Sequence, residues 1–120
     1  MIRVVIADDH RAVRMSFEAF LGAQEGIEVV GAAENGLDAI ALAQSHEPDV
    51  VVMDVRMPVV DGIEATRQIK RLVPGARVIL ISAYEERELR DSGQQAGADQ
   101  FLFKGIMGAS LAAHVRMVAA

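Results

Sequence analysis

Five short apolar runs recur along this chain, and they constrain its fold more than any other feature. Most of them are rich in Val and Ile, and one, Val50–Met53, has no alternating polar residue. A strand that is apolar on both faces is typical of a parallel sheet covered by helices. The runs are Ile2–Ala7, Ile27–Ala32, Val50–Met53, Val78–Ile81 and Phe101–Phe103.

The segments that follow these runs carry apolar residues at helical spacing. Four of them have a clear apolar face. The segment Glu85–Ala96 is the exception, because it has only Leu89 and Ala96 as apolar anchors and contains Gly93, so we expect a weak fourth helix. The four clear faces are Val13, Phe17, Phe20 and Leu21; Ala39, Ile40 and Ala43; Ala65, Ile69 and Leu72; and Leu111, Val115 and Val118.

Strand and helix therefore alternate five times, which predicts a doubly wound α/β fold with a parallel sheet and right-handed crossovers. A chain of 120 residues with 52% apolar content fits one globular domain. The absence of cysteine excludes disulfides and thiolate chemistry. A net charge of −5 disfavours binding of nucleic acid by this chain. No apolar run approaches the roughly 20 residues that span a bilayer.

Four of the five runs end directly in a charged or hydroxyl residue. These residues are Asp8 and Asp9, Asp54, Ser82 and Lys104. Each alone is ordinary, since Asp9 or Ser82 could simply cap the following helix. Together they are more informative, because ligands of open parallel sheets bind beyond the carboxyl ends of the strands.

The chemistry of these strand ends favours a metal-dependent phosphoryl site. Three neighbouring carboxylates repel one another unless a cation lies between them, and oxygen ligands favour Mg²⁺. An aspartate beside such an ion can attack phosphorus, as in aspartyl-phosphate enzymes. Lys104 would then neutralise phosphoryl oxygens, and the Ser82 hydroxyl would donate a hydrogen bond to one.

The chain resembles, from end to end, the receiver domains of two-component response regulators. The matching motifs are Asp8-Asp9, Met53-Asp54, Met57-Pro58, Asp61-Gly62, Ser82-Ala83, and Phe101 with Lys104. The stretches Asp8–His10, Val29–Gly31 and Asp54–Pro58 look most like the LuxR/NarL-type subgroup, which carries a C-terminal helix-turn-helix effector. Gly105 is a departure, since many members have a proline after the lysine.

This resemblance implies a flavodoxin-like (βα)5 receiver fold with strand order 2-1-3-4-5. It implies that Asp54 is the phosphoacceptor, with Ser82 and Lys104 in contact with the phosphoryl group. The implied switch residues are Ser82, Tyr84 and Phe101. The implied Mg²⁺ ligands are Asp9, Asp54 and the backbone carbonyl of Arg56, with Asp8 acting mainly through bound water.

The resemblance also implies a signalling role. The chain would take a phosphoryl group from a sensor histidine kinase and change conformation, to control dimerisation or a DNA-binding effector that regulates transcription. Residues 1–120 would be the N-terminal part of a longer cytoplasmic response regulator, and DNA would be contacted only through its C-terminal domain. The weak fourth helix is the expected bistable element. No turnover of a separate substrate is expected.

Two other functions are compatible with such a sheet. A phosphohydrolase of the haloacid dehalogenase type also uses an aspartyl nucleophile, but it needs a second acid two residues later, where this chain has Arg56. A flavin-binding electron carrier needs a phosphate loop after the first strand, and Asp8 and Asp9 would repel that phosphate. The histidines His10, His46 and His114 could suggest a metal site or a phosphohistidine, but their positions favour structural roles.

Overall fold

A computed structural model describes residues 1–104 and 110–120, and its strands and helices alternate as predicted. The strands are β1 (Ile2–Ala7), β2 (Ile27–Ala33), β3 (Val50–Asp54), β4 (Arg77–Ser82) and β5 (Gln100–Phe103). The helices within the described residues are α1 (Arg11–Gly22), α2 (Gly36–His46), α3 (Gly62–Leu72), α4 (Arg87–Gln95) and α5 (Leu111–Ala119).

The five strands form one parallel sheet in the order β2-β1-β3-β4-β5. This order confirms the predicted flavodoxin-like receiver fold. The direction of winding reverses between β1 and β3, so the carboxyl ends of these two central strands border the crevice where α/β sheets bind ligands. The fold therefore places the ends of β1 and β3 side by side.

Helices cover both faces of the sheet, and β3 shows how the sequence achieves this. Val50 and Val52 pack on the face covered by α1 and α5, whereas Val51 and Met53 pack on the face covered by α2, α3 and α4. Each of these side chains is at most 1% exposed. Burial of a side chain of this size contributes roughly 1.5–3 kcal/mol, which is why the third run needs no polar alternation.

The helices begin in two different ways. The side chains of Asn35 and Asp61 accept hydrogen bonds from backbone N–H groups in the first turns of α2 and α3. Helix α1 has no such cap; its N-cap position is His10, whose own N–H donates to the Asp8 carboxylate at 2.9 Å. Asp9 is therefore not the helix cap, which leaves its carboxylate available at the strand end.

Two sequence expectations need correction or refinement. Leu72 does not anchor the apolar face of α3: it is 43% exposed because the helix ends there, and Val73 packs against the core instead. Gly93 in α4 is buried, and a Cβ atom there would lie 3.0 Å from both Leu80 and Phe101. This glycine therefore permits close packing of α4 on the sheet, in addition to lowering its helix propensity.

Within the described residues, no helix combines the length and the apolar character that a membrane span requires. The peptide bond between Lys104 and Gly105, where the sequence departs from the family pattern, lies outside the described residues.

Candidate functional site

The carboxyl ends of β1, β3 and β5 bring two acids and a lysine together. Asp8 follows β1, Asp54 is the last residue of β3, and Lys104 follows β5. The Lys104 Nζ atom donates to Asp8 Oδ2 at 3.0 Å and to Asp54 Oδ2 at 3.3 Å. Residues separated by 50 and 96 positions in sequence thus meet at one point of the sheet edge.

Both carboxylates are withdrawn from solvent. Asp8 is 1% exposed and Asp54 is 6% exposed, whereas the lysine side chain is 21% exposed. Burial raises the pKa of Asp54, and the negative charge of Asp8 raises it further; the charge and hydrogen bond of Lys104 and the backbone N–H of Arg56 lower it only in part. The single lysine thus does not fully offset the cost of ionising Asp54 at this buried position.

The ammonium group of Lys104 is correspondingly held in its charged form. Burial opposes the charge, but the hydrogen bond to Asp8 and the negative charges of Asp54 and Asp8 together raise the pKa of Lys104. Its position between two carboxylates makes it a fixed positive charge at the sheet edge, suited to neutralise an incoming anion.

Asp9 and His10 complete the acidic edge. One potential ligand atom from each of Asp8, Asp9, His10 and Asp54 lies within 4.8 Å of the others. The Asp9 side chain is 33% exposed, so it borders solvent where a hydrated ion could enter. Three carboxylates and a backbone turn form an oxygen-rich donor set that fits a divalent cation, Mg²⁺ in particular.

Gly62 shows how closely the backbone approaches this site. A Cβ atom on Gly62 would lie 2.1 Å from the backbone oxygen of Asp54, and its N–H donates to the carbonyl of Val55 at 2.7 Å. Gly36, the first residue of α2, approaches the loop between β3 and α3 in the same way. A Cβ atom on Gly36 would lie 2.0 Å from the carbonyl oxygen of Val60 in that loop. Both glycines are required because the loop between β3 and α3 folds back against its neighbours.

The predicted hydroxyl residue, Ser82, ends β4, and Tyr84 lies in the loop that follows the strand. Ser82 is 1% exposed, and its hydroxyl accepts a hydrogen bond from the backbone N–H of Tyr84 at 3.0 Å. Within the described residues, the hydrogen bond of the Ser82 hydroxyl is thus to the loop that follows β4, and no hydrogen bond connects the hydroxyl to Asp54. Its hydroxyl proton remains able to donate.

Arg56 and Tyr84 meet above the site. The Arg56 guanidinium lies 5.2 Å from the centre of the Tyr84 ring, and its Nη2 atom is 3.8 Å from Glu86 Oε1. Beside them is a cleft of about 390 Å³, whose lining includes Asp9, Arg56 and Leu89. This cleft connects the acidic edge to the surface of α4.

The predicted aromatic switch residue is buried. Phe101 is 9% exposed and packs under α4, where its ring contacts the space left by Gly93. The Arg90 guanidinium lies 5.6 Å from the centre of the same ring. Phe101 therefore links the strand that precedes Lys104 to the helix with the fewest apolar anchors.

Sequence reasoning missed several residues that shape this site. Arg14 on α1 donates to the Asp8 backbone carbonyl at 2.8 Å, and nothing in its helical position signals that contact. Gly36 could be recognised only as part of an Asn-Gly turn. The position of His10 in the sequence favours a structural role, yet its imidazole Nδ1 lies 3.2 Å from Asp9 Oδ1.

Comparison with known proteins identifies the family of this chain. Residues 4–116 match the family described as the response regulator receiver domain. The chain is 42% identical to the response regulator GacA of Pseudomonas aeruginosa over 105 residues, which are 88% of this chain and 49% of GacA. It is 40% identical to the transcriptional regulatory protein LiaR of Bacillus subtilis, over 97% of this chain and 55% of LiaR.

A solved structure extends the agreement to the whole described fold. The signal receiver domain of the response regulator NarL from Mycobacterium tuberculosis superposes with a TM-score of 0.94 at 34% identity, covering 98% of this chain and 95% of that domain. The chain spans about half the length of the curated relatives that it matches. It belongs to the response regulator receiver domain family, and its relatives identify it as a member of the NarL/LuxR-type subgroup.

Proposed function

We propose that this chain accepts a phosphoryl group on Asp54 from a sensor histidine kinase, in a Mg²⁺-dependent reaction, and changes conformation as a result. The observation that carries the proposal is the convergence of buried Asp54 with Asp8 and Lys104 at one sheet edge. Family membership supports the signalling role, because receiver domains act in phosphorelays.

The transfer would need one nucleophile and a balanced set of charges. A carboxylate oxygen of Asp54 forms a bond to phosphorus while the P–N bond to the kinase histidine breaks. Lys104, already 3.3 Å from that carboxylate, would bind a phosphoryl oxygen and offset its charge. The Ser82 hydroxyl would donate a second hydrogen bond while still accepting from Tyr84.

The proposed Mg²⁺ ligands are Asp9, Asp54 and the backbone carbonyl of Arg56, with Asp8 acting mainly through bound water. When bound, Mg²⁺ supplies charge neutralisation at the carboxylates and the phosphoryl oxygens. The chain's own part is to hold the acids in place: Lys104 and the His10 N–H fix Asp8, and the buried β3 strand fixes Asp54.

The conformational change is proposed to run from the phosphoryl site to α4. Ser82 would sense the phosphoryl group, and Tyr84 and Phe101 would rearrange with it. Few apolar anchors hold α4, and switch elements are drawn from the least stable parts of a fold. Its contacts with Phe101 and Leu80 make its position sensitive to movement of β4 and β5.

The output is proposed to be dimerisation or control of an attached DNA-binding effector that regulates transcription in the cytoplasm. Relatives named as transcriptional or response regulators are about twice as long as this chain. The net charge of −5 supports an effector outside these residues as the DNA-contacting part.

The deciding experiment is phosphorylation by acetyl phosphate in the presence and absence of Mg²⁺, followed by intact-protein mass spectrometry. We expect one added phosphoryl group on the wild-type chain with Mg²⁺, and none on Asp54→Ala. Asp91→Ala, which removes an exposed carboxylate on α4, is the matched control and should be labelled normally. Undiminished labelling of Asp54→Ala would contradict the proposal.

A phosphohydrolase is the competing function, and Arg56 is the observation against it. Its guanidinium lies over the Tyr84 ring, at the position where that chemistry needs an acid that exchanges a proton. Multiple turnovers of a small phosphate ester by the wild-type chain would favour the phosphohydrolase.

A further inference from the structure

The side chain of His10 lies at the acidic edge without a role in the proposed transfer. Its Nδ1 atom is 3.2 Å from Asp9 Oδ1 and 3.5 Å from Asp8 Oδ1. The imidazole side chain is 70% exposed, and its Nδ1 edge faces these two carboxylates. A potential ligand atom of His10 also lies within 4.8 Å of one on Asp54.

These separations fit ligands that share one ion. Protein nitrogen and oxygen ligands lie about 2.0–2.2 Å from Zn²⁺, so two ligands of one ion are about 3 Å or more apart. The two distances from His10 Nδ1 satisfy this condition with the carboxylates as placed.

The backbone of His10 is held in position before any ion binds. Its N–H donates to Asp8 Oδ1 at 2.9 Å, and its carbonyl accepts from the Arg14 N–H at 2.9 Å as α1 begins. Only the side-chain torsions therefore need to be ordered on binding, which lowers the entropic cost of adding this ligand.

An imidazole changes which ions the site prefers. Mg²⁺ prefers oxygen ligands and keeps its waters, so nitrogen adds little to its binding. Zn²⁺, Ni²⁺ and Co²⁺ bind imidazole well. A site of three carboxylates therefore gains selectivity for these ions when a histidine can join it.

We propose that His10 is an additional ligand for borderline divalent ions such as Ni²⁺, Co²⁺ and Zn²⁺, giving the site a second metal-bound state that competes with Mg²⁺. This inference rests on the proposed metal site of Asp8, Asp9 and Asp54. It adds a nitrogen ligand to a site whose other ligands are oxygens. It also provides a way for transition metals to interfere with Mg²⁺ binding.

The simpler reading of these contacts is an ion pair between the imidazole and two carboxylates. The two readings predict different changes in metal affinity when the His10 side chain is removed. Removing a positively charged partner from the acids should leave the affinity for every divalent ion unchanged or increased. Removing a ligand should weaken binding of Ni²⁺ and Co²⁺ and spare Mg²⁺.

The test is calorimetric titration of Ni²⁺ and of Mg²⁺ into wild type, His10→Ala and His10→Asn, with circular dichroism to verify folding. We expect His10→Ala to weaken Ni²⁺ roughly tenfold or more, by analogy with the loss of other metal-site groups. Mg²⁺ affinity should remain within about twofold of wild type, since its ligands are oxygens. His114→Ala is the matched control, because that ring lies on α5 beside Gln100.

The visible spectrum of bound Co²⁺ provides an independent measurement. Loss of a nitrogen ligand in His10→Ala should change its absorption bands, whereas His114→Ala should not. Unchanged or tighter Ni²⁺ binding in His10→Ala, or equal weakening of Ni²⁺ and Mg²⁺, would overturn the role of His10 and leave Asp54 phosphorylation intact. Failure of the wild type to bind either ion would overturn both this inference and the proposed Mg²⁺ site.

Discussion

The two edges of the sheet each hold an ion cluster, and the clusters are built in opposite ways. At the amino-terminal edge, Asp99 accepts from Lys70 Nζ at 2.9 Å and from the Val78 N–H at 2.8 Å, and it lies 3.8 Å from Arg77. One acid there meets two bases and a backbone donor. This cluster joins α3 to the starts of β4 and β5.

The carboxyl-terminal edge has the reverse balance. Lys104 pairs with two carboxylates, those of Asp8 and Asp54, and the carboxylate of Asp9 lies beside them. The two most buried of them are at most 6% exposed, and the pKa of Asp54 is raised. A cluster that leaves buried charge uncompensated is costly to the fold and is characteristic of a binding site. Charge balance thus separates the stabilising cluster from the one proposed to be functional.

The largest expected effect concerns the backbone of the functional edge. Gly62→Ala should destabilise the fold by about 3 kcal/mol, because overpacking of this kind forces the backbone to shift. The contact responsible is the 2.1 Å approach of a Cβ to the backbone oxygen of Asp54. Urea denaturation measures the change. Gly75→Ala is the control, since a Cβ there meets nothing within 4 Å, and equal losses in both variants would contradict the assignment.

The next effect should appear at the stabilising edge. Asp99→Ala removes the partner of Lys70 and leaves the Val78 N–H without its acceptor, which should cost about 2 kcal/mol. The same denaturation experiment measures it. Glu64→Ala removes a solvent-exposed ion pair with Arg67 and should change stability far less. If Asp99→Ala were neutral, the amino-terminal cluster would not be stabilising and the contrast between the edges would fail.

Asp54→Asn, in contrast, should increase the free energy of unfolding. A raised pKa means that the folded chain binds the Asp54 proton more tightly than the unfolded chain. The free energy of unfolding therefore falls as pH rises from the ordinary value of 3.8 through the folded-state pKa, and the ionised carboxylate destabilises the fold at higher pH. Without metal, Asp54→Asn should be more stable than wild type at neutral pH.

That gain should disappear when the pH falls below 3.8, because Asp54 is then protonated in both states. Mg²⁺ offers a second check, since an ion that binds only the folded chain adds about 2.7 kcal/mol at one hundred times its Kd. Added Mg²⁺ should stabilise wild type more than Asp54→Asn. A destabilised Asp54→Asn chain at neutral pH would contradict the proposed charge imbalance.

The smallest expected effect compares backbone conformation at the two edges. Val59, in the loop beside the functional site, has a φ of 71° and is 77% exposed, whereas Glu47 has a φ of 46° at the end of α2. A β-branched residue is strained in this region, and asparagine tolerates it. Val59→Asn should stabilise the fold by about 0.5 kcal/mol.

Glu47→Asn is the comparison variant, because its conformation is a common helix-ending one that an unbranched residue tolerates better. Its gain in thermal unfolding should be smaller than that of Val59→Asn. A larger gain at Glu47 would show that strain is not concentrated at the functional edge.

The order of the elements and the identity of the strand-end residues could be predicted from the sequence, because both depend on local pattern. Continuous apolar runs such as Val50–Met53 indicate strands buried on both faces, and the residues that follow them are read directly. The convergence of Asp8, Asp54 and Lys104 followed from the rule that open parallel sheets bind their ligands beyond the carboxyl ends of the strands. These inferences needed no knowledge of which side chains touch.

Other properties depend on contacts between distant parts of the chain, and only the tertiary structure decided them. Leu72 has the spacing of a core residue but lies where α3 ends, so it is exposed. Gly36, Gly62 and Gly93 are set by the backbones and side chains that approach them from other elements. The raised pKa of Asp54 likewise arises from burial and from Asp8, 46 positions away in the chain. Sequence determined the order and chemistry of the strand ends, whereas packing determined which atoms meet there, because close approach and desolvation are properties of the assembled sheet.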